Sequence, residues 1–315
     1  MAVARQTLSI ADIPAVQLAA ARRRLAQAER PERRFALTLV SPAVLVLVVT
    51  TTFPLLYLLS QSLQDINLAM PGMDHYVGFE NYRRMAGDSR FWAALGFTGV
   101  YTVTTVALQL VIGLGMALLI LQIPRAQWAF RIAAILPIVL APVVAGLFWR
   151  TLMLTPDFGI VDYALRAAGL GSRNWLGEPG LARISVIVIH TWQWTPFVFL
   201  YLLAALAALP SDLYEAARID RASAWRRFIH ITLPLIRPAI VVVAILRITI
   251  ALSAFAAIYA ATGGGPGTAT EIVNLYSYRV AFAELSLGYG AAAAVVLLVL
   301  TLVVAGLLFR IRRAQ

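Results

Sequence analysis

The chain has 315 residues, 61% of them hydrophobic and only 13% charged, with a formal net charge of +11. A soluble domain carries about 25% charged residues, so this composition, with a mean hydropathy of +0.80, defines a polytopic membrane protein. There is no cysteine, which excludes disulfides, thiolate catalysis and Cys-ligated metals, and all 26 basic residues are arginine, which excludes the lysine-dependent P-loop.

In chain order, residues 1–34 form a basic tail in which Asp12 and Pro14 suit the start of an Ala-rich helix. The apolar run that follows is too long for a signal-peptide core, so the tail is expected to stay uncleaved. Six apolar runs then span 35–63, 91–121, 126–154, 184–209, 235–262 and 289–309. Each exceeds or matches the roughly 20 residues that cross hydrocarbon. Pro42, Pro54, Pro137, Pro142, Pro196 and Pro238 interrupt them and predict kinks. Residues 310–315 close the chain as a second tail. The expected fold is therefore all-α, with a six-helix membrane domain over 35–309.

Orientation follows from arginine bias. With the N-terminus inside, seventeen of the 26 arginines lie in inside segments, so both termini and the 211–234 segment are expected to be cytoplasmic. The outer loops are longer, with aromatic and turn residues such as Gly78-Phe79 and Asn174-Trp175. The run Gly263-Gly264-Gly265-Pro266-Gly267 lacks both a preceding strand and a GK[ST] end, so it reads as a flexible turn rather than a phosphate cradle.

The 211–234 segment is the only long polar stretch with helical signals at both ends. Asp212 is placed to cap a helix and Glu215 to reach back three residues later. Leu213, Ala216, Ala217 and Ile219 suit one apolar face. A second short helix brings Trp225, Phe228 and Ile229 together, and Pro234 is expected to stop it. Two short helices with a bend near Asp220-Arg221 suit a docking element for another protein.

Intramembrane polar residues are the candidates for a substrate path. Span four offers Trp192, Gln193 and Trp194, and span five offers Arg247, Thr249, Ser253 and Tyr259. Arg247 lies nine residues beyond Pro238, roughly 14 Å deep at 1.5 Å per residue. Aromatic faces beside amides and hydroxyls suit a sugar, whose C–H faces stack and whose hydroxyls need fixed partners. Gln109 in span two is a weaker candidate. An Arg247 without nearby acids would suit an anionic group. Arg150, near a span end, is expected to snorkel. The histidines (His75, His190, His230) show no metal-ligand spacing, and no metal or cofactor is expected in the chain.

Glu215-Ala216-Ala217, with Asp220, Ala222, Phe228, Ile231, Leu233-Pro234 and Pro238, resembles the EAA loop of permease subunits in binding-protein-dependent ABC importers. Asn81-Tyr82, Leu136-Pro137, Asn174-Trp175-Leu176 and Thr262-Gly263-Gly264-Gly265-Pro266 are similar to the carbohydrate-uptake branch, with its maltose-type and glycerol-phosphate-type permeases. The resemblance implies a non-catalytic permease that pairs with a second homologous permease, two ATPase subunits holding ATP and Mg, and an extracytoplasmic solute-binding protein. It implies that Glu215 faces the ATPase, that the small Ala216 and Ala217 allow close approach, and that Trp225 and Phe228 brace the second helix against the spans. The substrate implied is a carbohydrate or polyol and the location a bacterial inner membrane.

The chain departs from that pattern twice. Arg221 stands where the family usually has Gly, and a left-handed backbone there would cost about 1–2 kcal/mol. Ile250 and Ala256 stand where such permeases often carry acids. An autonomous secondary transporter is the alternative, but no internal repeat is visible and Arg247 is the one midplane charge. A membrane enzyme would need clustered His, Asp or Glu within the spans.

Overall fold

The computed structural model describes residues 15–123 and 127–313. Asp12, Pro14 and Arg125 lie outside these residues. Contacts divide the chain into two units at Leu58/Leu59. The first holds most of α1 (Ala15–Ser62), a continuous helix that runs through the expected tail boundary at residue 34. Its side chains from 38 to 57 are exposed and strongly apolar, as suits a helix surrounded by lipid.

The second unit begins with a two-residue hairpin, β1 (Gln64–Asp65) against β2 (His75–Tyr76), and a short α2 (Glu80–Ala86). Buried Asn81 donates to the carbonyls of Ser62 and Gln64 and so satisfies backbone at the end of α1. The long α3 (Ser89–Ile120) follows, then α4 (Gln127–Val139), α5 (Pro142–Phe148), a π segment (149–153) and α6 (Ile160–Ala167). Next come α7 (Pro179–Ala207), α8 (Ser211–Ile219), α9 (Ala224–Arg227), a second π segment (228–232) and α10 (Leu233–Leu252). The chain ends with α11 (Ala256–Thr262), α12 (Val273–Tyr278), a third π segment (279–283) and α13 (Leu287–Arg313). Among the described residues five helices are long and apolar enough to span, or six if the bent pair α4–α5 is counted as one.

Three expectations about these helices are corrected. The third span is broken, with a 101° bend between Val139 and Pro142, because Pro142 opens a new helix and disfavours helical geometry at Ala141. The fifth span ends at Leu252, well short of 262. Asn274 donates to the carbonyls of Ser253 and Ala254, and α11 restarts in a new direction. Pro234 does not stop a helix: Ala224–Leu252 is one apolar helix. The π segment before it accommodates the ring, with the Leu233 amide reaching back to the Phe228 carbonyl.

Small residues let the helices touch. A Cβ on Gly113 would lie 2.9 Å from Val198 Cγ1 and 3.0 Å from the Phe199 amide, so α3 and α7 meet backbone to side chain. The core around that crossing is Ala117, Ile120, Val198, Phe199, Leu202 and Val243. Away from the α8–α9 end, Glu271 is buried between Arg90 (2.7 Å) and Arg279 (3.1 Å), joining α3 to the loop before α12.

Asp88 caps α3 by accepting from the amides of Arg90 and Phe91, and it also accepts from Tyr276 and Tyr289. Burial alone would raise its pKa; the two tyrosine hydroxyls and the two amides outweigh that and hold it below the usual carboxylate range. Its contribution to stability is therefore present above the unfolded value near 4 and is lost as pH falls through the lowered folded value.

Two outcomes follow. Gly113→Val should wedge α3 from α7 and destabilise by about 1–3 kcal/mol, read as a lower midpoint in detergent thermal unfolding. Asp88→Ala should cost about 1 kcal/mol from the cap alone, and should make the drop in stability below pH 4 smaller than in wild type.

Candidate functional site

Two groups of residues stand out: the polar turn at 211–234 and a polar cluster buried where α3, α7 and α10 meet.

In the polar turn, α8 begins two residues earlier than expected. Pro210 takes the cap position in extended geometry and no side chain caps the helix, so the capping box of Asp212 and Glu215 does not form. Asp212 instead sits in the first turn, where a negative charge complements the helix dipole. The expected apolar face is not turned inward. Ala217 is buried and Tyr214 half-buried, whereas Leu213, Glu215, Ala216 and Ile219 (82%) are exposed. Tyr214 Oη and Thr232 Oγ1 lie 2.9 Å apart, which ties α8 to the start of α10.

The bend is resolved. Asp220 is the C-cap of α8, and Arg221 follows with φ +54°. The Ala222 amide donates to the Ala217 carbonyl (2.9 Å) and the Arg221 amide to the Arg218 carbonyl (3.0 Å). This is a Schellman closure with arginine at the left-handed position that normally favours glycine. Ser223 then caps α9 by accepting from the Arg226 amide. Trp225 and Phe228 stack at 5.8 Å. Trp225 is 68% exposed, so it does not brace α9 against the spans as expected, while Phe228 is half-buried. Aromatic stacking on each other leaves an outward face.

The buried cluster is centred on Arg247 of α10, which is 0% exposed. Its Nε donates to Gln109 Oε1 of α3 at 2.9 Å, and Nη2 donates to His190 Nε2 of α7 at 3.1 Å. Gln109 Nε2 in turn donates to the His190 carbonyl. The guanidinium lies 4.5 Å above the Trp194 ring, and Tyr101 flanks the His190 ring at 5.2 Å. Nη1 of Arg247 and the Tyr101 hydroxyl have no hydrogen-bond partner among the described residues.

Beside this cluster is a cavity of about 380 Å³ lined by His190, Gln193, Trp194, Thr249, Ser253 and Phe255, among others. Four of the seven substrate-path candidates thus share one cavity: Gln193, Trp194, Thr249 and Ser253. Arg247 sits behind it, in contact with two of its walls. Trp192 does not join them. It faces the other way, stacked on Phe148 at 5.8 Å and edge-on to Trp149, and lines a separate apolar cavity of about 460 Å³. Two residues advance a helix by about 200°, which puts Trp192 and Trp194 on opposite faces. Tyr259 is on α11 and packs with Phe255 and Tyr278, outside the cavity wall.

Gln193 also donates to the Leu140 carbonyl at the α4–α5 break. Arg150 donates to the Ala260 carbonyl at 3.4 Å. His190 and Tyr101 were missed in the sequence. The usable signal was spacing: His190, Gln193 and Trp194 stand at i, i+3 and i+4 on one helix face.

A bundle of spanning helices with an exposed polar turn and a cavity beside a buried polar cluster suits a transport protein. The family of binding-protein-dependent transport system inner membrane components matches residues 109–314, and the chain belongs to that family. It is a permease subunit and not an enzyme. It is 35% identical to the sulfoquinovosyl glycerol transport system permease protein SmoG of Agrobacterium fabrum, over 90% of this chain and 92% of that one. It is 38% identical to the trehalose/maltose transport system permease protein MalF of Thermococcus litoralis, over 68% and 72%. A bacterial alginate ABC transporter, crystallised with an alginate pentasaccharide-bound periplasmic protein, shares the fold. Its TM-score is 0.79 at 22% identity, covering 92% of this chain and 98% of that one.

The left-handed arginine gives a direct test. Arg221→Gly should relieve about 1 kcal/mol of backbone strain, seen as roughly fivefold slower hydrogen exchange at the Ala222 amide.

Proposed function

We propose that the chain is a permease subunit of an ATP-driven importer for a carbohydrate or sugar derivative. A second homologous permease completes the pathway, and two separate ATPase chains bind ATP and Mg. A solute-binding protein delivers the substrate outside the inner membrane. Arginine bias puts both termini and the 211–234 turn in the cytoplasm. The sugar class is supported by the relatives named above and by the cavity itself, where an indole face, an amide and two hydroxyls converge.

The observation that carries the coupling role is the exposed face of α8. Leu213, Glu215, Ala216 and Ile219 face outward on a helix whose inner side is fixed by Ala217 and Tyr214. Such a face suits a groove on a partner, with small Ala216 allowing close approach and Glu215 supplying a charge. A pull on α8 passes through the Tyr214–Thr232 contact to α10. Fifteen residues along, about 22 Å, that helix carries Arg247. ATP binding then favours one arrangement of the spans and its hydrolysis the other, a population shift set by differential nucleotide affinity.

Glu215→Arg should leave the subunit in the membrane and abolish substrate-stimulated ATP hydrolysis by the assembled complex. Coupled hydrolysis at the normal rate in that variant would overturn the docking role.

A further inference from the structure

Among the described residues the charge at the centre of the bundle has no counter-ion. No Asp or Glu among the described residues falls within the apolar spanning segments. Arg247 is fully buried and is held by neutral groups alone: the amide oxygen of Gln109, the imidazole of His190 and the face of Trp194. One of its terminal nitrogens has no partner among these residues. A desolvated, uncompensated cation at this depth is costly, and neutral sugar hydroxyls could be recognised without it. Positions 250 and 256, both on the cavity wall, are Ile and Ala and supply no acid.

We infer that the cavity accepts a carbohydrate carrying an anionic substituent (a carboxylate, sulfonate, sulfate or phosphate), whose charge Arg247 balances. This rests on the importer reading above and names the substrate class of that site. Two residues connect the cation to the cavity. Trp194 lies under the guanidinium and forms part of the wall. His190 also lines the wall, and because arginine can only donate, His190 Nε2 is the acceptor of their hydrogen bond. The ring proton of the neutral imidazole is therefore on Nδ1, an N–H polarised by the adjacent cation. An anion in the cavity meets that N–H and an unscreened positive field in a low-dielectric setting. The sugar body meets the Trp194 face and the oxygens of Thr249 and Ser253, which donate to backbone and retain lone pairs to accept.

The test uses the assembled importer with its ATPase and solute-binding protein in proteoliposomes. Matched probes are methyl glucoside, methyl glucuronide, methyl glucoside 6-sulfate and methyl glucoside 6-phosphate. Wild type is expected to import one or more of the charged probes. Arg247→Gln should cut that uptake at least tenfold, and Arg247→Lys should keep it within about threefold. Because Arg247→Gln removes a buried hydrogen-bonding group, Ile250→Glu provides a second arm. It adds a carboxylate to the cavity wall without touching the cluster, and it too should cut uptake of the charged probes at least tenfold. Import of methyl glucoside alone overturns the inference and leaves the sugar-importer reading standing. Charged uptake unchanged in Arg247→Gln or in Ile250→Glu also overturns it. Import of none of the four probes, with no stimulation of ATP hydrolysis by any of them, overturns both readings.

Discussion

Everything in the bundle interior is arranged around one buried guanidinium. Arg247 lies in α10, its amide acceptor in α3 and its imidazole acceptor in α7, so a single side chain binds three spanning helices. In hydrocarbon the alternative to these contacts is an unsolvated cation, which makes the cross-link hard to break without replacing it. The contacts also fix their own partners. Gln109 accepts from the arginine with its oxygen and must then donate with its nitrogen, which it does to the His190 carbonyl. That bond sets the height of α3 against α7. The close approach at Gly113, one turn further along α3, is possible because the helices are already held in that register.

Much of the fold was legible because its causes are local. About 20 apolar residues announce a spanning helix wherever they occur, and four of the five unbroken spans lie close to the expected runs. The polar turn was legible for the same reason, and even its strained position could be anticipated, since Arg221 interrupts a pattern built on glycine. What sequence could not reveal depends on partners far away in the chain. Span five was read to residue 262 because nothing before Ala256 looks like a stop; the stop is Asn274, twenty residues on, accepting the role of cap for Ser253 and Ala254. His190 looked like an isolated ring among apolar neighbours because its partners, Gln109 and Arg247, are 81 and 57 residues away. Trp192 and Trp194 looked equivalent in composition, and only the 3.6-residue period separates them, one into an aromatic stack and one over the cation.

The π segments mark where helices of the bundle change their hydrogen-bond register. The described residues contain three, at 149–153, 228–232 and 279–283, and each follows directly on a short α-helix at a bend or turn. A wider turn replaces the i→i−4 ladder with i→i−5 bonds and admits an extra residue, so a helix can change direction without losing all its hydrogen bonds. The segment at 228–232 matters most. It lies between the exposed α8–α9 turn and α10, it absorbs Pro234, and Thr232 within it meets Tyr214 of α8. Beyond it α10 runs unbroken past Arg247 to Leu252. A regular helix transmits displacement along its axis, whereas a π segment at its foot lets the turn rotate relative to it. The joint therefore sits next to the exposed α8–α9 surface and the rigid rod reaches the buried cation. Any shift of α10 must either carry α3 and α7 with it or exchange the contacts of Arg247, and the cross-link that stabilises the resting bundle is by the same geometry the element that makes its spans respond together.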